Sequence, residues 1–230
     1  MKIAIMGAMR EEIDPILESV GTYTAIEHAG NIFYTCSYAG HELIIAYSKI
    51  GKVFSAITAS VMCERFGAQA LLFSGVAGGI SKELNIGDLI MASTLCQHDV
   101  DIVAFGHPYG FIPEGTLMIE SDPALRSLAS EVAVDMGIEL YEGIIATGDQ
   151  FVASSERKSW IQQTFNADAL EMEGASVACV CQNFDVPFFV LRAISDTADG
   201  GASEDFDAFL KSSAAVSATF ILEMVKRIGH

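Results

Sequence analysis

The sequence is short of positive charge. Thirteen Lys and Arg stand against thirty Asp and Glu in 230 residues, a formal net charge of −17. Nucleic acids and anionic membrane surfaces are bound through a basic footprint, so neither is expected as a partner. Proline is scarce too, with five in the chain and none clustered. No linker, low-complexity tract or internal repeat divides the sequence. No uninterrupted apolar run approaches the length needed to span a bilayer. The apolar start gives way at Arg10-Glu11-Glu12, too soon for a signal-peptide core. The five cysteines (Cys36, Cys63, Cys96, Cys179 and Cys181) contain no Cys-x-x-Cys pair, and Cys179-Val180-Cys181 is too tight for a zinc half-site. They read as buried reduced thiols of a cytoplasmic protein.

Two nucleotide signatures are also missing. Gly7-Ala8-Met9-Arg10-Glu11-Glu12 follows an apolar run and opens a helical pattern, where a dinucleotide fingerprint would sit. Only its first glycine is present, and carboxylates at a helix start repel a pyrophosphate. Gly75-Val76-Ala77-Gly78-Gly79 lacks the Gly-Lys-Ser/Thr ending of a phosphate-binding loop. It is expected as a turn after a strand, through which Gly78 and its neighbours let backbone approach a ligand closely.

What is present is core material, with 51% of residues hydrophobic. Short apolar runs at 2–6, 70–74, 143–147 and 187–194 alternate with helical patterns at 11–20, 52–66, 122–136, 155–164, 172–184 and 205–228. That alternation predicts one large α/β domain. A hairpin is expected over 32–38 and 42–48, and two strands over 88–93 and 94–97 joined by a bend. Asp122 and Pro123 read as the cap and first position of a helix. Ser74-Gly75, Gly148-Asp149 and Ser195-Asp196 fall at the ends of expected strands, and in α/β sheets ligands bind at the carboxyl edge.

Three groups of residues could carry chemistry. Glu11 and Glu12 either complement a helix dipole or place a carboxylate beside a cleft, able to accept a proton from water. Glu171-Met172-Glu173, at an expected strand-to-helix junction, is either a solvated helix start or a sugar site, in which a carboxylate accepts from both hydroxyls of a ribose diol. Arg192, inside an apolar strand, requires a buried carboxylate as partner. Asp196, just past that strand, is a candidate general acid.

These motifs, in this order and over essentially the whole chain, resemble the nucleoside phosphorylase/nucleosidase superfamily, and within it the 5′-methylthioadenosine/S-adenosylhomocysteine nucleosidases. Ser48-Lys49-Ile50-Gly51-Lys52-Val53, Thr147-Gly148-Asp149-Gln150-Phe151 and Val190-Leu191-Arg192-Ala193-Ile194-Ser195-Asp196 carry the likeness further. The resemblance implies a single-domain three-layer α/β/α sandwich around a mixed twisted β-sheet, with neither metal nor cofactor. It implies adenine nucleosides and water as small-molecule partners. By the same resemblance Glu12 is the base that activates water, and Asp196 the acid that protonates adenine N7. Glu173 binds the ribose hydroxyls, with Met172 beneath the sugar. Phe151 stacks on adenine and the Val152 backbone reads its edge. Arg192 and Ser195 support water and acid, and Met9, Ile50 and Phe206 line the space around the 5′ substituent. Ile102, Phe105 and Pro113 fall where residues reach the pocket of a second subunit, which implies a homodimer.

Two positions depart from the pattern: Arg10 stands where many members have an acid, and Val76 where many have Ser. Met9-Arg10-Glu11-Glu12-Ile13, Gln97-His98-Asp99-Val100-Asp101 and Gly110-Phe111-Ile112-Pro113-Glu114 look most like a branch that also cleaves 6-amino-6-deoxyfutalosine. The alternatives are a purine nucleoside phosphorylase using phosphate in place of water, and a nucleoside-binding module without catalysis. Irregular spacing of His98 and His107 around Asp99 and Asp101 argues against a metal there.

Overall fold

The computed structural model describes residues 1–198 and 202–229. Its centre is β1 (Lys2–Gly7), in which every residue after Lys2 is buried. A strand buried on both faces is the mark of a covered parallel sheet. β1 pairs in parallel with β4 (His41–Tyr47) on one side and with β5 (Ala70–Gly79) on the other. Beyond β4 the sheet continues antiparallel through β3 (Asn31–Tyr38) and β2 (Thr24–His28), as an open wing. The β3–β4 turn is made by Ala39 and Gly40, both at positive φ, which suits the twist of a two-residue hairpin.

On the far side β5 pairs in parallel with β10 (Phe188–Asp196). β10 pairs with β6 (Leu89–Gln97), and β6 with β8 (Leu140–Thr147). β8 then pairs with β9 (Ala169–Glu171), which returns to β5 at Gly78 and Gly79. The five strands therefore close into a ring, so the sandwich is barrel-like at one end. β7 (Ile119–Glu120) adds a short antiparallel step to β6.

Side chains alternate across the central strand. Ile3 and Ile5 pack with α1 (Arg10–Val20), α3 (Pro123–Met136) and α6 (Ala202–Val225) in one core layer. Ala4 and Met6 pack on the other face with α2 (Lys52–Glu64) and α5 (Gly174–Asn183). α4 (Ser155–Phe165) covers a smaller apolar cluster against β8. Asp122 caps α3, accepting from the Leu125 N–H at 2.9 Å, and Gly137 closes it in the left-handed region. α6 is long and apolar enough to cross a membrane by composition alone, with half of that stretch buried. Ala214, Ala218, Phe220, Ile221 and Met224 are buried in the core, which gives its apolar face a use within the fold.

Several expectations are corrected. Gly75 to Gly79 is not a turn: β5 runs through it, every residue buried. β6 is a single strand, Leu89–Gln97, with an irregularity between Ala92 and Thr94, rather than two. α5 starts at Gly174 and not at Met172. β2 and β7 were not expected as strands, while β9 is the strand of the strand-to-helix junction expected at Glu171. β2 is exposed along its whole length, so it carries no burial pattern, and β7 is too short for one.

Candidate active site

β5 pairs with β1 only as far as Phe73. Beyond that point it bends toward β9, and the two central strands part. The Val76 N–H, with no β1 partner here, donates to Glu12 Oε1 at 3.0 Å. Glu12 Oε2 accepts from the N–H groups of Ala8 and Met9 at 2.6 and 2.9 Å. The side chain thus caps its own helix while bridging the mouth of two strands. Its neighbour Glu11 is exposed. Glu12 is buried, and that burial pushes its carboxyl above the ordinary value, only partly opposed by the Arg192 charge and the three N–H donors.

The glycines of β5 make room for carboxylates. A Cβ on Gly75 would lie 2.7 Å from Glu12 Oε1, and one on Gly78 would lie 2.8 Å from Asp196 Oδ1. Asp196 ends β10 and is buried. Its Oδ2 accepts from the Ser195 hydroxyl and its Oδ1 from the Ala198 N–H, each at 2.9 Å. Asp196 is therefore held at both oxygens.

Glu173, at the start of α5, is also buried, and its Oε1 accepts from the Gly51 N–H at 2.7 Å. Burial and the neighbouring Glu171 charge push its carboxyl up to about 8; the Gly51 N–H and Arg192 oppose the rise, and Glu12 adds to it. Glu171 is used differently. It pairs with Arg192 Nη2 at 2.8 Å and accepts from the N–H groups of Glu173 and Gly174 and from the Thr147 hydroxyl. The Arg192 guanidinium also lies over the Phe73 ring at 4.0 Å.

Glu12, Glu173, Asp196, Met9, Ile50, Gly78, Phe151, Val152, Met172, Ser195 and Phe206 all line one cavity of about 310 Å³. The rings of Phe151 and Phe206 meet edge to face at its wall, with centroids 5.8 Å apart. Among the described residues, no lysine or arginine side chain lines it. Four expected site residues lie elsewhere. Arg192 stands behind the wall, fully buried, and touches the site through Glu171 and the field at Glu12. Ile102, Phe105 and Pro113 are outside this cavity, and Phe105 is 81% exposed. Arg10 turns away, bonding Asp14 at 2.5 Å and the Tyr34 hydroxyl at 2.8 Å. His98 is buried, which drives its imidazole down to about 4, and His107 stacks on Phe111.

Sequence reasoning missed the backbone donors at Ala8, Gly51 and Val76, and the pairing of Glu171 with Arg192 rather than with a sugar. Main-chain donors carry no residue-type signal. For Glu171, the lone arginine of an apolar strand was the available clue, since it demanded a buried carboxylate.

Comparison with known proteins identifies the family. The sequence profile of the phosphorylase superfamily matches residues 2–226. An aminodeoxyfutalosine nucleosidase of Campylobacter jejuni is 56% identical over 99% of this chain and 100% of its own. A 5′-methylthioadenosine/S-adenosylhomocysteine nucleosidase of Oceanobacillus iheyensis is 37% identical over 99% and 100%. The crystal structure of the Helicobacter pylori enzyme of that name, complexed with an aminopyrrolopyrimidine joined to a pyrrolidinol thioether, superposes with a TM-score of 0.98 at 53% identity, covering 99% of each chain. The chain belongs to the phosphorylase superfamily, and the relatives it matches at this level are nucleosidases, enzymes that hydrolyse N-glycosidic bonds.

Proposed function

We propose that the protein hydrolyses the N-glycosidic bond of adenine nucleosides altered at the 5′ position: 5′-methylthioadenosine, S-adenosylhomocysteine, 5′-deoxyadenosine and 6-amino-6-deoxyfutalosine. The observation that carries this reading is the convergence of Glu12, Glu173 and Asp196 on one cavity, beside a fourth buried carboxylate, Glu171, that Arg192 holds. Breaking the bond leaves positive charge on the ribose and negative charge on the base. Carboxylates around the sugar favour the first, and a proton donor at the base relieves the second.

In this reading water attacks the anomeric carbon while Glu12 takes its proton. The raised affinity of that carboxyl for protons makes it a stronger base than an exposed glutamate. The electron pair of the broken bond passes to adenine as Asp196 delivers a proton to N7. Ser195, hydrogen-bonded to Asp196 Oδ2, orients the acid. Glu173 accepts from the ribose hydroxyls, and Met172 packs beneath the sugar. Phe151 stacks on the base while the Val152 backbone reads its edge. Met9, Ile50 and Phe206 enclose the 5′ substituent. The Helicobacter pylori relative's ligand supports this assignment of space. Its aminopyrrolopyrimidine has adenine's shape, and its pyrrolidine nitrogen is a basic amine that takes a positive charge, as the sugar does in the reaction.

A second copy of the chain completes the site. Val53, Phe54 and Ile57 leave one face of α2 apolar and between 45% and 68% exposed, which fits an interface. Ile102, Phe105 and Pro113 would then enter the partner's pocket. The five cysteines are free thiols, which suits the cytoplasm. Adenine release from each nucleoside, assayed with and without phosphate, tests the proposal. Release without phosphate is expected. Phosphate-dependent release would move the protein to the phosphorylases, and saturable binding without release would make it a binding module.

A further inference from the structure

Two walls of the cavity come from segments that share no strand pairing. One is the turn before α2, where Ile50 lines the cavity and Gly51 follows it. The other follows β8 and carries Gln150, Phe151 and Val152. A hydrogen-bonded ring ties them together. The Lys52 N–H donates to Asp149 Oδ1 at 2.8 Å, and the Asp149 N–H donates to Asp99 Oδ2 at 2.9 Å. Asp99 Oδ1 accepts from Lys52 Nζ at 2.7 Å, which closes the ring, and Gln97 Oε1 accepts from the same ammonium at 3.0 Å.

The ion pair of the ring is largely shielded from solvent, while Asp149 is exposed. The Lys52 and Asp99 side chains keep 18% and 13% of their exposure. Burial alone would push the Asp99 carboxyl up, but Lys52 and the Asp149 N–H hold it below its ordinary value. Gly51 allows the closure. Its φ is +100, and a Cβ there would lie 3.0 Å from Asp149 Oδ1. The Gly51 N–H donates to Glu173 on the cavity side.

We propose that Asp99 and Lys52 are positioning residues for the nucleoside, fixing the spacing between the Ile50–Gly51 wall and the Phe151–Val152 wall and aiming the Gly51 N–H at Glu173. For its substrate this rests on the nucleosidase reading; for its geometry it does not. Both walls meet the nucleoside before and during reaction, so loosening them weakens ground state and transition state alike. That pattern raises KM and spares kcat. The Gly51 N–H and Arg192 favour the charged form of Glu173 against burial, Glu171 and Glu12. Losing the N–H therefore moves the Glu173-dependent rise in activity to higher pH.

The test compares the intact protein with Asp99→Ala and Lys52→Met, using Lys52→Arg as the conservative control. Adenine release is followed across pH, and amide hydrogen exchange at Gly51 and Asp149 is followed without ligand. The expected result is a KM raised about tenfold or more with kcat within about threefold. The pH profile shifts upward and both amides exchange faster, while Lys52→Arg stays near the wild type. Unchanged KM, pH profile and exchange overturn the proposal. So does faster exchange with unchanged KM, which would leave the ring a purely structural tie. Should one variant fail to fold, the other carries the test, and Asp99→Asn offers a milder third. A wild type that releases no adenine refutes the nucleosidase reading instead, and the exchange rates still decide whether the ring orders both walls.

Discussion

Four acidic side chains, Glu12, Glu171, Glu173 and Asp196, are buried among the described residues, against their nature as surface groups. Glu173 shows the cost most clearly. Its carboxyl rises from 4.5 to about 8 on folding, so between those values the folded protein holds a proton that the unfolded chain has released. Stability from this group therefore falls as pH rises through that window and is lowest above it. Glu173→Gln is expected to lose activity while gaining stability. In the ligand-free protein its Tm advantage over wild type should grow between about pH 5 and about pH 9, at about 2–4 °C per kcal/mol for a chain of this size. A difference that does not change with pH would contradict the buried-charge account. Asp196→Asn keeps the shape: its oxygen accepts from the Ala198 N–H, and its amide NH2 faces the Ser195 hydroxyl, which turns to accept. It should fold normally yet lose about 10²–10⁴ in turnover, the usual worth of a general acid. Near-wild-type adenine release would remove that assignment.

Asp196 and Arg192 were legible in the sequence because each conflicted with its surroundings, one ending an apolar strand and the other lying inside it. Glu12, among the charges of Arg10-Glu11-Glu12, stood out only through the family resemblance. Their meeting at one cavity follows from strand ends sharing an edge. Gly51, Asp99 and Asp149 were not legible as a unit. They act through backbone donors and through a salt bridge 47 residues apart in sequence, which no local pattern encodes.

At the scale of elements, β5 decides the site. Its first half is an ordinary partner of β1, and its second half leaves β1 to meet β9. The glycines looked like a turn because glycine usually marks one. Here they keep a buried strand free of side chains where two carboxylates press against it. Gly75→Ala places a methyl in the space beside Glu12 Oε1, which should push the carboxylate off the Val76 N–H. The expected outcome is a fall in kcat/KM of about tenfold or more, with overpacking costing about 1–3 kcal/mol. A fully active, equally stable variant would mean that Glu12 does not need this seat. Helices and central strands were readable from burial periodicity. The ring closure was not, because it depends on the two-residue pairing of β9 with β5.

For the whole molecule, the charge of −17 and the site have compatible logic. A cavity walled by acidic side chains, with no cationic side chain among its described lining residues, suits a substrate that becomes positive and offers an anionic nucleophile no cationic partner. The same chain leaves an apolar face on α2. Sedimentation should therefore report a dimer. Val53→Glu combined with Ile57→Glu should give a monomer with little activity, since Phe105 would no longer reach a partner's pocket. An active monomer would show that one chain holds a complete site.

The central claim is that water, and not phosphate, takes the sugar. Turnover of 5′-methylthioadenosine in water enriched in heavy oxygen, with phosphate absent, tests it most directly. One heavy oxygen on the anomeric carbon of the sugar product, released together with free adenine, is the expected result. No turnover until phosphate is added, with a sugar phosphate as product, would contradict the account.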